Sequence, residues 1–142
     1  MRVYFDSSAL VKRGVTEDYS EELRDIVDGL QQSDDELLSS TLTWIEVSRV
    51  LRARLEVEHP ARVAELVDGA LAGIDEVPLG SVVASLARRI GSPRMRSLDA
   101  IHLATASVID ADLFVAYDRR LLLVAEEMGF LTASPGRPGQ RD

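Results

Sequence analysis

The chain has no cysteine. Disulfides and thiolate metal sites are therefore excluded, and the chemistry must come from oxygen, nitrogen and backbone groups. No apolar run is long enough to cross a bilayer. The first residues also lack a secretory pattern, because Asp6 interrupts their short apolar stretch. Together these absences point to a cytoplasmic protein without a membrane partner. Lysine is nearly missing: Lys12 is the only one, and Trp44 is the only tryptophan. There is no internal repeat and no sign of a second domain. What remains is 142 residues, 46% of them hydrophobic, enough for one domain with a real core.

Base is in short supply relative to acid. The net charge is −8 and the pI about 4.8, which taken bluntly argues against a nucleic-acid binder. The distribution says something different. Lys12, Arg13, Arg49, Arg52, Arg54, Arg94, Arg96, Arg119 and Arg120 all lie close in sequence to four acids discussed below. These are either the rim of an acidic pocket or ordinary surface charges on helices.

The chain is organised around its first twelve residues. Val3-Tyr4-Phe5 is a short apolar run that suits a buried strand. Asp6 stands at its end, followed by Ser7, Ser8 and a helix-forming run. In open α/β sheets sites are built at that carboxyl edge. Asp6 or Ser7 would equally serve as a helix cap.

The remaining periodicities predict a helix over 17–32, a polar break at 33–36 and a strand at 37–40. Thr43 is the expected N-cap of a helix from about Trp44 to Val57, with Glu46 at capping-box spacing. A third helix begins at Pro60 and runs to about Ala72. Residues 74–79 are extended, and Pro78 places them at a sheet edge. Ser81 caps a helix through Ile90, ended by Gly91. Ser97–Ile109 is a helix, Leu113–Tyr117 a strand, Arg119–Met128 a helix and Phe130–Ala133 a last strand. One domain over 1–133 follows, with a disordered tail over 134–142. The alternation predicts an α/β fold: a three-layer sandwich with a mainly parallel central sheet flanked by helices.

Four acids occupy special places. Asp6 and Asp118 end strands, and Glu46 and Asp99 lie in first turns of helices. Each has an ordinary explanation. Asp118 can cap its helix, Asp99 gains from the helix dipole, and Glu46 can close a capping box or pair with Arg49. In a parallel sheet, however, strand ends and the helix starts that follow lie on one edge. Four converging carboxylates would repel and raise each other's pKa. Mg²⁺ or Mn²⁺, which favour oxygen ligands, would resolve that.

These residues carry a resemblance. Phe5-Asp6-Ser7-Ser8-Ala9-Leu10-Val11-Lys12, Glu46-Val47, Leu98-Asp99-Ala100-Ile101-His102-Leu103-Ala104-Thr105-Ala106 and Tyr117-Asp118-Arg119-Arg120-Leu121 resemble the motif series of PIN-domain ribonucleases. The likeness is nearest to the VapC toxins of bacterial toxin–antitoxin systems and covers about Met1 to Ala133. Each motif is weak alone; their order and spacing are specific.

The resemblance implies a metal-dependent endoribonuclease with Asp6, Glu46, Asp99 and Asp118 as its acidic cluster. Mg²⁺ or Mn²⁺ would be held by Asp6, Asp99 and Asp118. A cognate VapB-like antitoxin would block the site. It also implies a homodimer, alone or within a larger toxin–antitoxin assembly. Ser8 matches the hydroxyl near the first Asp and is equally a helix-cap residue. Ala116 departs from the pattern, since the family often has Thr or Ser there. Lys12, Arg13, Arg49, Arg96 and Arg119 are the expected contacts to the RNA backbone. His102 shares a helix face with Asp99, a spacing that suits a metal ligand or general base; the resemblance gives it no catalytic role, and it reads as a packing or hydrogen-bonding histidine. His59 reads as surface and Trp44 as core.

Three other readings compete. A phosphoryl-accepting receiver domain needs a late lysine, which this chain lacks. A non-catalytic module could bind an arginine-bearing peptide in its acidic pocket. A PIN-like nuclease could act on DNA.

Overall fold

The computed structural model describes residues 1–138. Five strands, β1 (Arg2–Phe5), β2 (Glu36–Ser40), β3 (Asp75–Val77), β4 (Leu113–Val115) and β5 (Leu131–Ala133), form one sheet in the order β3-β2-β1-β4-β5. Every pairing is parallel. Seven helices connect or follow them: α1 (Ser7–Gly14), α2 (Ser20–Gln32), α3 (Thr41–Arg54), α4 (Pro60–Ala70), α5 (Ser81–Ala87), α6 (Ser97–Val108) and α7 (Arg119–Glu127). Receiver domains use the order 2-1-3-4-5, so this topology sets that alternative aside.

The sheet is covered on both faces, as an all-parallel sheet requires. Strand β1 is central and Val3, Tyr4 and Phe5 are fully buried. Because side chains alternate, Val3 and Phe5 enter one core with Leu10, Leu23, Val47 and Leu51. Tyr4 enters the other with Leu103, Phe114 and Leu121. In the first core α1 packs close to α3 and α4. A Cβ on Gly14 would lie 2.7 Å from Leu51 Cδ2 and 3.3 Å from Ala70 Cβ.

The chain runs β1→β2→β3 in one direction from the centre, then crosses to β4 and β5 on the other side. The order therefore reverses between β1 and β4. In open α/β sheets, ligands bind outside the carboxyl ends of the strands at such a switch point. Asp6 follows β1 directly, and its N–H donates to Val115 O at the end of β4, 3.0 Å away.

Several local expectations are corrected. Thr43 is not a cap. Strand β2 runs into α3 without a loop, so Ser40 caps α3 through Leu42 N at 3.1 Å. Thr43 points inward and shares a 2.6 Å hydrogen bond with Ser39 Oγ. The capping box for Glu46 is therefore absent. Helix α3 stops at Arg54, where Leu55 is its C-cap and Glu56 turns to a φ of +51°. Gly80, not Ser81, is the N-cap of α5, which ends at Ala87 before Gly91 turns the chain at φ +70°.

The tail is ordered at its start. Ser134 is buried and its Oγ donates to Ala116 O at 2.5 Å. Tyr117 Oη donates to Pro135 O, and Arg137 Nη1 donates to Tyr117 O, each at 2.8 Å. Gly136, at φ +81°, lies so near Glu22 that a Cβ would meet its side chain at 2.9 Å. Residues 139–142 of the expected disordered tail lie outside the described residues.

Candidate active site

Asp6 is the N-cap of α1 and is only 3% exposed. Its Oδ1 accepts from Ser8 Oγ at 2.6 Å and from Ala9 N at 3.2 Å. Oδ2 receives no hydrogen bond among the described residues. Burial pushes the carboxyl up to about 6, against the opposing influence of His102 and the Ser8 hydroxyl. Ser8 is not a cap: it lies in the first turn of α1, where its Oγ donates to Asp6 and also accepts from Tyr117 N at 2.8 Å. It thereby joins the end of β1 to the residue that precedes Asp118. Ala116 itself is buried among apolar groups and brings no hydroxyl to this end of β4.

Glu46 lies on α3, where its Oε2 accepts from Ser7 Oγ and, at 3.3 Å, from His102 Nε2. Burial raises its pKa, but these two hydrogen bonds outweigh burial and hold the carboxyl below its ordinary range. The other ring nitrogen of His102, Nδ1, lies 2.7 Å from Tyr4 Oη. His102 is thus a buried hydrogen-bonding residue.

Asp118 caps α7, and its Oδ1 accepts from Arg120 N at 2.8 Å and Leu121 N at 3.3 Å. Asp99, in the first turn of α6, accepts no hydrogen bond among the described residues. Partial burial and the nearby Asp118 charge push its pKa up, only partly countered by Arg96, His102 and Arg120.

One pattern unites Asp6, Glu46 and Asp118. In each, the protein holds a single carboxylate oxygen and leaves the other without a donor among the described residues. The cap explanations for Asp6 and Asp118 are correct, yet capping occupies only half of each group.

A cleft of about 730 Å³ opens beside these residues, lined by Ser7, Ser8, Glu46, Tyr117 and Asp118, with Leu42, Ile45 and Leu98 as its apolar part. Asp6 is buried and does not line it. Asp99 instead lines a second cleft of about 320 Å³ with Arg94 and Arg120.

The expected basic contacts separate. Arg49 is exposed and lines the large cleft. Arg54 lines it too and pairs with Glu17 at 2.5 Å. Lys12 also borders the cleft but is 8% exposed, with Nζ 3.0 Å from Glu17 Oε1 and 4.6 Å from the Tyr117 ring centroid. Arg13 donates to Ala72 O at 2.9 Å, at the end of α4. Arg96 is exposed near Asp99, and Arg119 borders a separate groove with Glu126 and Arg137. His59 is exposed, and Trp44 is half-buried against the first core.

The sequence reading missed Tyr4 and Ser7 as site residues. Their signal was position alone, two before and one after Asp6. Ser7 opens α1 and Tyr4 faces α6, but neither contact exists until the sheet forms.

An all-parallel α/β sheet with Asp6, Glu46 and Asp118 at the carboxyl edge of its switch point defines the class. The family profile described as PIN domain matches residues 3–127, and the chain belongs to that family. It is 40% identical over 136 residues to ribonuclease VapC47 of Mycobacterium tuberculosis, covering 94% of this chain and 97% of the relative. It is 37% identical to ribonuclease VapC35 of the same species over 139 residues, or 95% and 98% of the two chains. In three dimensions it is similar to M. tuberculosis VapC20, a sarcin–ricin loop cleaving toxin, with a TM-score of 0.68 at 16% identity over 94% and 99% of the chains. It is also similar to VapBC2 of Rickettsia felis bound to a promoter DNA fragment, with a TM-score of 0.66 at 8% identity over 94% and 98%. These last two likenesses bear on the fold.

The acids suit a hard divalent cation in donor chemistry. They are all oxygen donors, with unclaimed oxygens on buried or half-buried groups. As the side chains lie, no three His, Asp or Glu among the described residues form a group that could hold a metal ion.

Proposed function

We propose that this protein is an endoribonuclease toxin that hydrolyses RNA phosphodiester bonds using Mg²⁺ or Mn²⁺. Asp6, Asp99 and Asp118 would hold the cation, and Glu46 would complete the shell or orient water. The observation that carries this reading is the half-claimed state of Asp6, Glu46 and Asp118 at one sheet edge. Their second oxygens receive no donor among the described residues, and two of the four acids have raised pKa values that a cation would reverse. Such an ion supplies Lewis acidity and offsets the charge of the phosphodiester. Arg49 and Arg54, on the cleft wall, would hold the backbone. Kinship with named ribonucleases supports RNA as substrate.

The partner would be a VapB-like antitoxin, seated on the apolar side of the cleft, where Ile45 and Leu98 are exposed. Solved VapBC complexes of similar fold support such a partner. The toxin itself would be a homodimer acting in the cytoplasm. No helix among the described residues is long and apolar enough to cross a membrane.

The test is cleavage of a mixed-sequence RNA by purified protein. We expect cutting with Mg²⁺ or Mn²⁺, none in chelator and none by Asp6→Asn. Undiminished cutting by metal-stripped protein would reject the metal requirement, and preference for DNA would reject the substrate.

A further inference from the structure

Glu46 is held through one oxygen by two donors, and only one of them, Ser7, borders the cleft. The other is His102, a 2% exposed residue of α6 with both ring nitrogens engaged. Nε2 faces Glu46 Oε2 at 3.3 Å, and Nδ1 faces Tyr4 Oη at 2.7 Å. The two rings meet edge to face, 6.1 Å between centroids at 66°.

Tyr4 is fully buried at the centre of β1. Its Oη pairs with His102 Nδ1. A carboxylate can only accept, so Nε2 brings the hydrogen to Glu46, and the phenol O–H is left to donate to Nδ1. Nδ1 is then an acceptor, and in a neutral imidazole the single proton sits on Nε2, toward Glu46.

We infer that His102 is a positioning residue for Glu46, and that Tyr4 selects the imidazole tautomer that performs this task. Ser7 alone fixes Oε2 from the side of α1. His102 adds a second donor from α6, across the sheet edge, so the carboxylate plane is set by two helices and Oε1 is left unclaimed. The inference rests on the nuclease reading only in that Glu46 serves the reaction; the hydrogen-bond arrangement stands apart from it.

The first measurement needs neither metal nor RNA. With His59 the only other histidine, a long-range ¹⁵N–¹H spectrum of the intact metal-free protein can be assigned directly. We expect His102 to carry its proton on Nε2 and none on Nδ1. A proton on Nδ1 would overturn the assignment, whether or not Nε2 also carries one.

The second measurement compares His102→Gln, His102→Asn and Tyr4→Phe. The Gln amide reaches the Nε2 position and can still donate to Glu46; the shorter Asn amide cannot. Loss of such a supporting contact costs about 10–100-fold in activity. We expect kcat of the folded Asn variant to fall by that factor at unchanged KM, with Gln recovering most of it. Equal losses in Asn and Gln, each tracking the loss of stability, would refute positioning. If both unfold, Tyr4→Phe decides: we expect a mixed tautomer and a lowered kcat, and an unchanged tautomer refutes the role of Tyr4. Should wild type leave RNA uncut, the nuclease reading fails, while the spectra still judge His102 and Tyr4.

Discussion

Ser8 Oγ accepts the Tyr117 N–H at 2.8 Å while giving its own proton to Asp6 Oδ1 at 2.6 Å. One hydroxyl thus ties together the two strand ends between which the sheet order reverses. It fixes Asp6 and the approach to Asp118 at once.

Replacing Ser8 by Ala leaves the Tyr117 N–H without its protein partner and removes one of two donors to Asp6. An unsatisfied group of this kind costs about 1–3 kcal/mol. Urea unfolding should show a loss of that size, with RNA cleavage falling further than the folded fraction. A change of only a few tenths would mean that Ser8 behaves as an ordinary first-turn residue.

Asp6 makes stability depend on pH in an unusual direction. Its carboxyl titrates near 3.8 unfolded and near 6 folded, so the folded state binds the proton more tightly. Stability from this group is therefore greatest below the unfolded value and declines as pH rises through the window from about 4 to 6. The span corresponds to about 3 kcal/mol. Asp6→Asn should gain on wild type across that window in chelator, judged by melting temperatures at pH 4 and 7. A constant difference between the two proteins would show that Asp6 does not titrate there.

Asp118 carries two duties that substitution can separate. Asp118→Ala loses the α7 cap and should cost about 0.5–2 kcal/mol without metal. Asp118→Asn keeps a capping oxygen and removes the charge that helps raise the pKa of Asp99. Its melting temperature in chelator should hold or rise, and the Asp99 carboxyl, followed by ¹³C NMR, should titrate lower. Equal stabilisation of wild type and both variants by Mg²⁺ would remove Asp118 from the proposed ion site.

The segment after β5 should be needed for stability. Ser134, Pro135 and Arg137 take part in three hydrogen bonds to Ala116 and Tyr117. At about 1 kcal/mol each, ending the chain at Ala133 should cost about 3 kcal/mol in denaturant unfolding. An unchanged midpoint would restore the expectation of a passive tail.

The sheet was legible because its signals are local. Val3-Tyr4-Phe5 and the strands near 37–40, 113–117 and 130–133 announce themselves by composition, and Asp6 and Asp118 stand just beyond strands and Asp99 in a first helical turn, whereas Glu46 lies a turn deeper in α3 than its spacing from Thr43 implied. The three-layer parallel architecture follows from that alternation. Caps were less legible where a strand meets a helix directly, as at Ser40, because spacing alone could not choose between Ser40 and Thr43. The links between acids were least legible. Ser8 reaches Tyr117 across 109 residues and Tyr4 reaches His102 across 98, and no periodicity encodes such pairings. The start of the tail misled because prolines and glycines read as disorder, whereas the Pro135 carbonyl is captured by Tyr117, 18 residues earlier; residues 139–142 lie outside the described residues.

Lys12 has a consequence for the chemistry of the whole surface. It is the only lysine, and its ammonium is packed against Tyr117 and bonded to Glu17 and the Asp18 carbonyl. The folded chain therefore offers essentially no free lysine amine to acylating reagents, amine cross-linkers or enzymes that attach tags through lysine. Such modification has to wait until α1 loosens from Tyr117. Amine labelling of Lys12 would then act as a clock for the opening of the site's wall, reading local unfolding where a lysine-rich protein would report only its exterior.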